Sequence, residues 1–206
     1  AMGRIEDYQS WGVRVVMEKA THIDRENKTV HTGSRALKYD SLVLATGSYP
    51  FVPPIQGHDS PGTFVYRTIE DLEAMEAWGK QSQVGVVVGG GLLGLECANA
   101  LKSMGLETHV VEFAPRLMPV QIDEAGGEVL KEKIQALGVQ VHTSKSTTNI
   151  VSENGKLVKM EFADGEELAT DMIVFSAGIR PRDQLARECG LNVGERGGIV
   201  VTENCL

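Results

Sequence analysis

The chain has 206 residues, of which 42% are hydrophobic and 23% charged, and this length can bury one large core or two smaller ones. Its formal net charge of −8 argues against nucleic acid as a partner, since phosphate backbones are bound by basic surfaces. The longest apolar stretch, residues 84–95, contains five glycines and is shorter than the roughly 20 residues that a membrane helix needs, so no membrane partner is expected either.

The first 61 residues predict short elements followed by a linker. Residues 5–11 are typical of a helix that Gly12 ends, and three short runs predict strands at residues 13–16, 20–24 and 29–31. Residues 42–45 form a uniformly apolar run, which is typical of a strand buried on both faces. Four prolines between residues 49 and 61 predict a linker between two domains.

The rest of the chain alternates between helical and strand patterns. Helices are predicted at residues 69–78, directly after the glycines near residue 90, and at 123–137, with buried strands at 84–88, 108–111, 139–142 and 172–176. Shorter strands around residue 150, at 157–162 and at 167–169 predict a meander with a hairpin turn at Asp164-Gly165. This succession predicts an α/β fold with a doubly wound, Rossmann-type domain. The side chains expected to face inward from the second and third helices are Leu93, Cys97, Ala100, Leu101 and Met104, then Val129, Leu130, Ile134 and Leu137.

A glycine-rich loop joins the strand at 84–88 to the following helix, with the sequence Gly89-Gly90-Gly91-Leu92-Leu93-Gly94. In a G-x-G-x-x-G loop of this kind Gly89 permits a tight turn, Gly91 leaves room for a pyrophosphate, and Gly94 lets the helix pack against the strand. The helix N-terminus then presents free N–H groups and a positive dipole end to the phosphates. The loop, including Leu92 and Leu93, is therefore predicted to bind a dinucleotide.

The next strand ends at Glu112, 18 residues after Gly94. An acid at this position accepts hydrogen bonds from the adenosine ribose and repels a 2′-phosphate, which predicts NADH rather than NADPH. Phe113 and Ala114 are not basic, whereas Arg116 keeps NADPH open as an alternative. The simpler alternative is a glycine turn followed by a surface glutamate.

Three motifs resemble those of the pyridine nucleotide-disulfide oxidoreductase superfamily, in the same order, and the glycine loop belongs to one of them. They are Tyr39-Asp40-Ser41-Leu42-Val43-Leu44-Ala45-Thr46-Gly47-Ser48, Gly89 to Glu96, and Ala177-Gly178-Ile179-Arg180-Pro181. Within that superfamily the chain is similar, over nearly its whole length, to the large subunit of NAD(P)H-dependent assimilatory nitrite reductase. The segments that carry this narrower resemblance are Ala45-Thr46-Gly47-Ser48-Tyr49-Pro50, Phe64-Val65-Tyr66-Arg67-Thr68-Ile69-Glu70-Asp71-Leu72, Glu112-Phe113-Ala114-Pro115 and Gly178-Ile179-Arg180-Pro181-Arg182-Asp183.

The resemblance implies a flavoprotein of nitrate assimilation in which NADH passes a hydride to FAD, and electrons continue to an iron–sulfur cluster and siroheme that reduce nitrite to ammonia. It implies an NADH-binding domain at residues 57–181, flanked by partial FAD-binding segments at 1–56 and 182–206. Glu96 would lie near the nicotinamide and flavin, Gly178 in the nicotinamide pocket, and Thr46 and Gly47 against FAD. A small nitrite reductase subunit is a further expected partner.

Parts of the family pattern are missing from this sequence. Residues 1–12 contain no FAD fingerprint, no acidic flavin motif follows the strand predicted at 199–202, and no Cys-x-x-Cys cluster motif is present. We therefore expect a fragment whose partner is the remainder of its own polypeptide, which holds the siroheme and iron–sulfur half. We expect the isolated chain to bind no FAD and to have no diaphorase activity. No side chain is expected to be catalytic, because hydride transfer needs positioning rather than acid–base chemistry.

Several candidate residues have simpler alternatives. Cys97, Cys189 and Cys205 are odd in number and widely spaced, which favours a reducing cytoplasm and no metal site. Cys97 is expected to be a small core residue, and His109 a structural histidine. Glu96 is either a nicotinamide contact or a first-turn acid favoured by the helix dipole, and Thr46-Gly47 is either a flavin contact or a turn. At the level of function, the alternatives are an NADH oxidase, a rubredoxin or ferredoxin reductase, or a nucleotide-binding module without turnover.

Overall fold

The computed structural model describes residues 4–206. The chain divides into two compact units, one comprising residues up to Gly47 together with Pro181–Leu206, the other Ser48–Arg180. The division between Gly47 and Ser48 lies nine residues before the predicted domain boundary at 56/57. The division between Arg180 and Pro181 lies one residue before the predicted boundary at 181/182. The identities predicted for these domains remain predictions.

The first unit begins with helix α1 (Ile5–Ser10), which confirms the predicted helix. Strands β1 (Ala20–Asp24), β2 (Thr29–Thr32) and β3 (Ala36–Lys38) then form an antiparallel sheet. The strands predicted at residues 13–16 and 42–45 are wrong, since both segments are irregular and Val43 is 86% exposed. A strand buried on both faces needs covering elements and paired neighbours, and the described residues provide none for this run.

The proline-rich segment is not the free linker that its composition predicts. It contains strand β4 (Ser48–Pro50) and leads to β5 (Thr63–Val65) and helix α2 (Ile69–Gly79). Within the second unit, the Phe51 amide donates to the Gly178 carbonyl and the Ile150 amide donates to the Gln56 carbonyl, both at 2.9 Å. These long-range backbone hydrogen bonds attach the segment to the second unit. The proline content indicates only that the segment cannot form a helix, and it does not show whether the segment packs against a domain.

The second unit then follows the predicted alternation closely. Its elements are β6 (Val84–Val88), α3 (Leu92–Ser103), β7 (Glu107–Val111), α4 (Glu124–Ala136), β8 (Gln140–His142), β9 (Thr147–Glu153), β10 (Lys156–Phe162), β11 (Glu167–Ala169) and β12 (Met172–Phe175). Strand β13 (Ile179–Pro181) includes the division between Arg180 and Pro181. Strands β5, β12, β6, β7 and β8 form one parallel sheet in that order. The α/β prediction is confirmed.

Each face of this parallel sheet carries its own hydrophobic core, because successive side chains of a strand point to opposite faces. On one face Val87 packs with Cys97 and Leu101 of α3. On the other face Val86 and Val88 pack with residues of the antiparallel β9–β10–β11 sheet, including Met160. The unit therefore has three layers, and the parallel sheet is the middle one.

The inward faces of two helices differ in part from the prediction. In α3 the buried residues are Gly94, Cys97, Ala98 and Leu101, whereas Leu93 is 45% and Met104 37% exposed. In α4, Leu130 and Ile134 pack against the core, but Val129 is 56% and Leu137 61% exposed. Spacing defines an apolar stripe, but the crossing of each helix over the sheet determines which edge of that stripe reaches the core.

The first unit closes with helix α5 (Gln184–Glu188). The strand predicted at residues 199–202 is wrong, since within the described chain this segment forms only an isolated bridge between Val193 and Ile199. Val200 and Val201 are each more than half exposed, so the apolar run has no sheet to join. Across residues 4–206, no helix has both the length and the apolar character required to cross a bilayer.

Candidate functional site

A cavity of about 710 Å³ lies in the second unit, at the carboxyl ends of the parallel strands. The strand order runs one way from β6 through β7 to β8 and the other way from β6 to β12 and β5, so the cavity sits at a topological switch point, where ligands bind in open α/β sheets. Residues predicted for cofactor binding that line it are Gly89, Gly91, Leu92, Leu93, Glu112 and Gly178.

The three fingerprint glycines have different physical roles. Gly89 has φ +120°, and a Cβ there would lie 2.3 Å from the Ser176 carbonyl oxygen. A Cβ on Gly94 would lie 1.9 Å from the carbonyl oxygen of Gly89, so these two positions serve close packing of loop, helix and strand. A Cβ on Gly91 would meet nothing within 4 Å, although Gly91 lines the cavity. Of the three fingerprint glycines, only Gly91 leaves open space at the cavity for a ligand.

The N-terminus of α3 meets the cavity without a capping side chain. Gly91 is its N-cap residue, no side chain within residues 4–206 caps it, and its first turn contains no acid. Leu92 and Leu93, which open the helix, both line the cavity. Free N–H groups and the positive dipole end therefore face the cavity, which is the arrangement that binds phosphate.

Glu112 is held in place by two backbone N–H groups. Its Oε2 accepts from the Gly90 amide at 2.6 Å and its Oε1 from the Ala114 amide at 2.7 Å. A carboxylate oxygen has two lone-pair sites, so both oxygens retain acceptor capacity. The motif does not single out Gly90, yet this residue positions Glu112 through its amide. It must be glycine, because a Cβ there would lie 2.5 Å from Leu117 Cδ2 and 3.1 Å from Glu112 Cβ. The signal for it in the sequence is its place in the middle of three consecutive glycines.

The basic groups near Glu112 are already engaged. Arg116 donates to the carbonyls of Pro119 and Ile122, at 3.1 and 3.3 Å, and is not among the residues that line the cavity. Lys145 does line the cavity, but its Nζ lies 2.7 Å from Glu166 and is also bonded to Asp164. The hydrogen bonds that the Lys145 ammonium donates to these two carboxylates raise its pKa.

Glu96 lies outside the cavity lining and on an exposed part of α3. Its alternative role as a first-turn acid is wrong, because the first turn of α3 holds no acidic residue. The pKa of Tyr66, which lines the cavity, is raised by burial and then by the charge of Glu96. A role for Glu96 at the nicotinamide remains a prediction.

Thr46 and Gly47 belong to the first unit, where they join its two chain segments. The Thr46 hydroxyl donates to the Arg182 carbonyl at 2.6 Å, and the Arg182 amide donates to the Gly47 carbonyl at 2.9 Å. Neither residue lines the cavity of the second unit. Their predicted contact with flavin remains a prediction.

Two side chains considered for chemistry have structural environments. Cys97 is fully buried in the core, and burial raises the pKa of its thiol to about 12, which confirms the core assignment. His109 is also buried, and its ring stacks on that of His142. The Nδ1 atom of His109 lies 2.9 Å from the Nε2 atom of His142. Within residues 4–206, no cluster of three or more histidine, cysteine or acidic side chains could hold a metal ion.

The histidine pair is expected to make the free energy of unfolding pH-dependent. Burial lowers the pKa of His109, against an opposing effect of Glu107, and the pKa of His142 is lowered by burial and then by the charges of His109 and Lys145. The unfolded chain binds protons near the ordinary histidine pKa of about 6.5, before the folded chain does. Stability present above that pH should therefore be lost as the pH falls through it towards the folded pKa values.

Urea denaturation between pH 7.5 and pH 5 measures this effect, in a range above the ordinary pKa of most carboxyl groups. We expect a lower free energy of unfolding at pH 5, and a flatter profile for His142→Asn. A wild-type profile that is flat or rises towards pH 5 would contradict the prediction.

Comparison with known proteins agrees with this fold. Residues 4–206 match the family described as pyridine nucleotide-disulphide oxidoreductase. The chain is 56% identical over 201 residues to the NADH nitrite reductase large subunit of Escherichia coli strain K12, covering 96% of this chain and 24% of that protein.

Two crystal structures match along most of the chain. A ferredoxin reductase from Rhodopseudomonas palustris is 27% identical with a TM-score of 0.91, covering 97% of this chain and 49% of that one. An FAD-dependent pyridine nucleotide-disulphide oxidoreductase from Desulfovibrio vulgaris is 34% identical with a TM-score of 0.79, covering 92% and 50%. The chain thus spans about a quarter of the nitrite reductase subunit and half of each of these structures. The resemblance seen in the sequence is confirmed, and the chain belongs to the pyridine nucleotide-disulphide oxidoreductase family.

Proposed function

We propose that this chain is the NADH-binding part of a flavin-dependent oxidoreductase. The observation that carries the proposal is the open space at Gly91, which lines the cavity beside the uncapped N-terminus of α3. A pyrophosphate fits this arrangement, because it needs both close access to the backbone and unpaired N–H donors. Gly89 and Gly94 contribute to this binding indirectly, because the absence of a Cβ at each lets the loop, helix and strand pack closely.

Glu112 binds the adenosine ribose and selects NADH in this proposal. Its carboxylate is oriented by the Gly90 and Ala114 amides and keeps lone pairs for two ribose hydroxyls. A 2′-phosphate would meet this negative charge, while Arg116 and Lys145 are bonded to other groups. The geometry therefore favours NADH over NADPH.

The nicotinamide half lies towards β12 and β5, next to Gly178. The apolar side chains Phe51, Ile55 and Phe175 line the cavity and exclude water around the ring. FAD, when bound, supplies the acceptor for the hydride of NADH, and the residues of this chain supply orientation and exclusion of water rather than acid–base catalysis. Glu96 acts at this end through its charge, which influences the cavity residue Tyr66.

The described residues alone do not fit a complete FAD site. A second pyrophosphate would need another glycine loop that leads into a long helix, whereas the two helices of the first unit have six and five residues. We therefore assign residues 1–56 and 182–206 to part of a flavin domain and 57–181 to the NADH domain, with Thr46 and Gly47 at the edge of the flavin. The remaining flavin contacts belong to the rest of the polypeptide, of which the chain covers a quarter in its Escherichia coli relative.

For the whole protein we propose reduction of nitrite to ammonia in the cytoplasm, as a step of nitrate assimilation. Siroheme and an iron–sulfur cluster outside this chain would be the site of nitrite reduction, with a small subunit as partner. The support is 56% identity to a nitrite reductase large subunit. Purified full-length protein should show siroheme absorption that changes when nitrite and NADH are added.

Two outcomes would contradict this assignment. A full-length flavoprotein that oxidises NADH without siroheme bands would be an NADH oxidase or a rubredoxin or ferredoxin reductase. A full-length protein that binds NADH but reduces no dye through its flavin would be a nucleotide-binding module without turnover.

A further inference from the structure

Arg67 is a cation at the cavity for which the proposed nucleotide contacts give no role. It lies in the Phe64 to Leu72 motif, is exposed, and lines the cavity. Its Nη2 donates to the Ser48 hydroxyl at 3.0 Å, and within residues 4–206 no carboxylate forms an ion pair with it. The guanidinium therefore keeps donors and an uncompensated charge at the cavity.

The backbone around Arg67 is held on both sides. Strand β5 pairs in parallel with β12, with Val65 opposite Phe175, so Arg67 follows β5 at the same sheet edge at which Ser176 follows β12. Directly after it, Thr68 and Asp71 form a capping box at the start of α2, with bonds of 2.8 and 3.2 Å. The backbone position of Arg67 is thus fixed, while the exposed end of its side chain can move towards a ligand.

The charges that line the cavity leave Arg67 as the available cation. Among residues 4–206, three charged residues line it, Arg67, Glu112 and Lys145, and Lys145 is neutralised by Asp164 and Glu166. The pyrophosphate of a dinucleotide carries two negative charges, of which the α3 N-terminus offsets only a part. Arginine matches phosphate oxygens in a bidentate geometry and forms charge-assisted hydrogen bonds with them.

The strand order places Arg67 on the opposite side of β6 from Glu112, which is the side proposed for the nicotinamide. Glu112 follows β7 on one side of β6, and Arg67 follows β5 on the other. Strands β5 and β6 are two spacings apart, about 10 Å, a gap that an extended arginine and a bound phosphate span together. We infer that Arg67 binds the nicotinamide-side phosphate of the dinucleotide, an inference that rests on the proposed function.

The test is titration of the chain with NADH, ADP-ribose and AMP, the last by competition with NADH. For Arg67→Met we expect NADH and ADP-ribose to bind at least 10-fold more weakly, with a reduced dependence on salt, and AMP to bind as before. Arg67→Lys should recover part of the affinity, because it restores the charge but not the bidentate geometry. Lys133→Met, which removes an exposed cation of α4 away from the cavity, is the charge-matched control and should bind all three ligands as wild type does.

Each other outcome overturns the inference. Unchanged affinities in Arg67→Met would show that Arg67 makes no contact. Weaker NADH with unchanged ADP-ribose would place the contact at the nicotinamide, and weaker AMP would indicate distortion of the whole cavity. A wild-type chain that binds neither NADH nor ADP-ribose would instead overturn the proposed function itself.

Discussion

Replacement of Gly91 by valine is expected to abolish NADH binding while the domain remains folded. Gly91 has φ −81° and ψ −177°, an extended conformation that β-branched residues adopt readily. A Cβ at this position meets nothing within 4 Å, so the side chain would project into the space proposed for the pyrophosphate. We expect affinity to fall more than 100-fold, equivalent to about 3 kcal/mol.

Calorimetric titration with NADH measures this loss, and far-UV circular dichroism and thermal denaturation report the fold. Gly94→Ala is the matched variant with the opposite expectation. Its Cβ would lie 1.9 Å from the Gly89 carbonyl oxygen, so α3 must move away from β6, and the free energy of unfolding should fall by about 3 kcal/mol. Retained NADH affinity in a folded Gly91→Val chain would show that the phosphate site lies elsewhere.

The second large effect is expected at Glu112, where the wild-type chain should bind NADH more tightly than NADPH by about 1–3 kcal/mol. In NADPH the 2′-phosphate replaces a ribose hydroxyl that would donate to the carboxylate, and it adds charge repulsion. Glu112→Arg should weaken NADH binding and narrow or reverse the preference. Parallel titrations with both nucleotides measure the two dissociation constants.

Glu112→Gln separates charge from hydrogen bonding. The amide oxygen can still accept from the Gly90 N–H, while the amide NH₂ cannot accept from Ala114. We therefore expect this variant to lose discrimination against NADPH more than it loses affinity for NADH. Equal dissociation constants of the wild-type chain for NADH and NADPH would refute the assignment of Glu112 as the selective residue.

Local pattern in the sequence was sufficient for the framework of the second unit. Buried strands such as β6 are continuous apolar runs, and the helix after the glycine loop shows a helical period, so both can be read from neighbouring residues. The glycine loop has the same property, because its turn, its helix N-terminus and its spacing to Glu112 are all features of one short stretch. The family resemblance followed from these motifs and was confirmed by the comparisons.

What depends on partners distant in sequence was decided only by the tertiary structure. Residues 42–45 look like a buried strand but are irregular, because strand formation requires paired neighbours. The proline-rich segment looks like a linker but is bonded to the second unit through Phe51 and Gly178.

The site divides in the same way. The sequence itself determined which residue types form the phosphate loop and the acid that follows it. Only the fold placed the Gly90 amide on Glu112, Asp164 and Glu166 on Lys145, and Arg67 at the same sheet edge. The physical reason is that a hydrogen bond or ion pair between residues far apart in the chain leaves no periodic trace in either segment, and forms only when the strand order brings the two together.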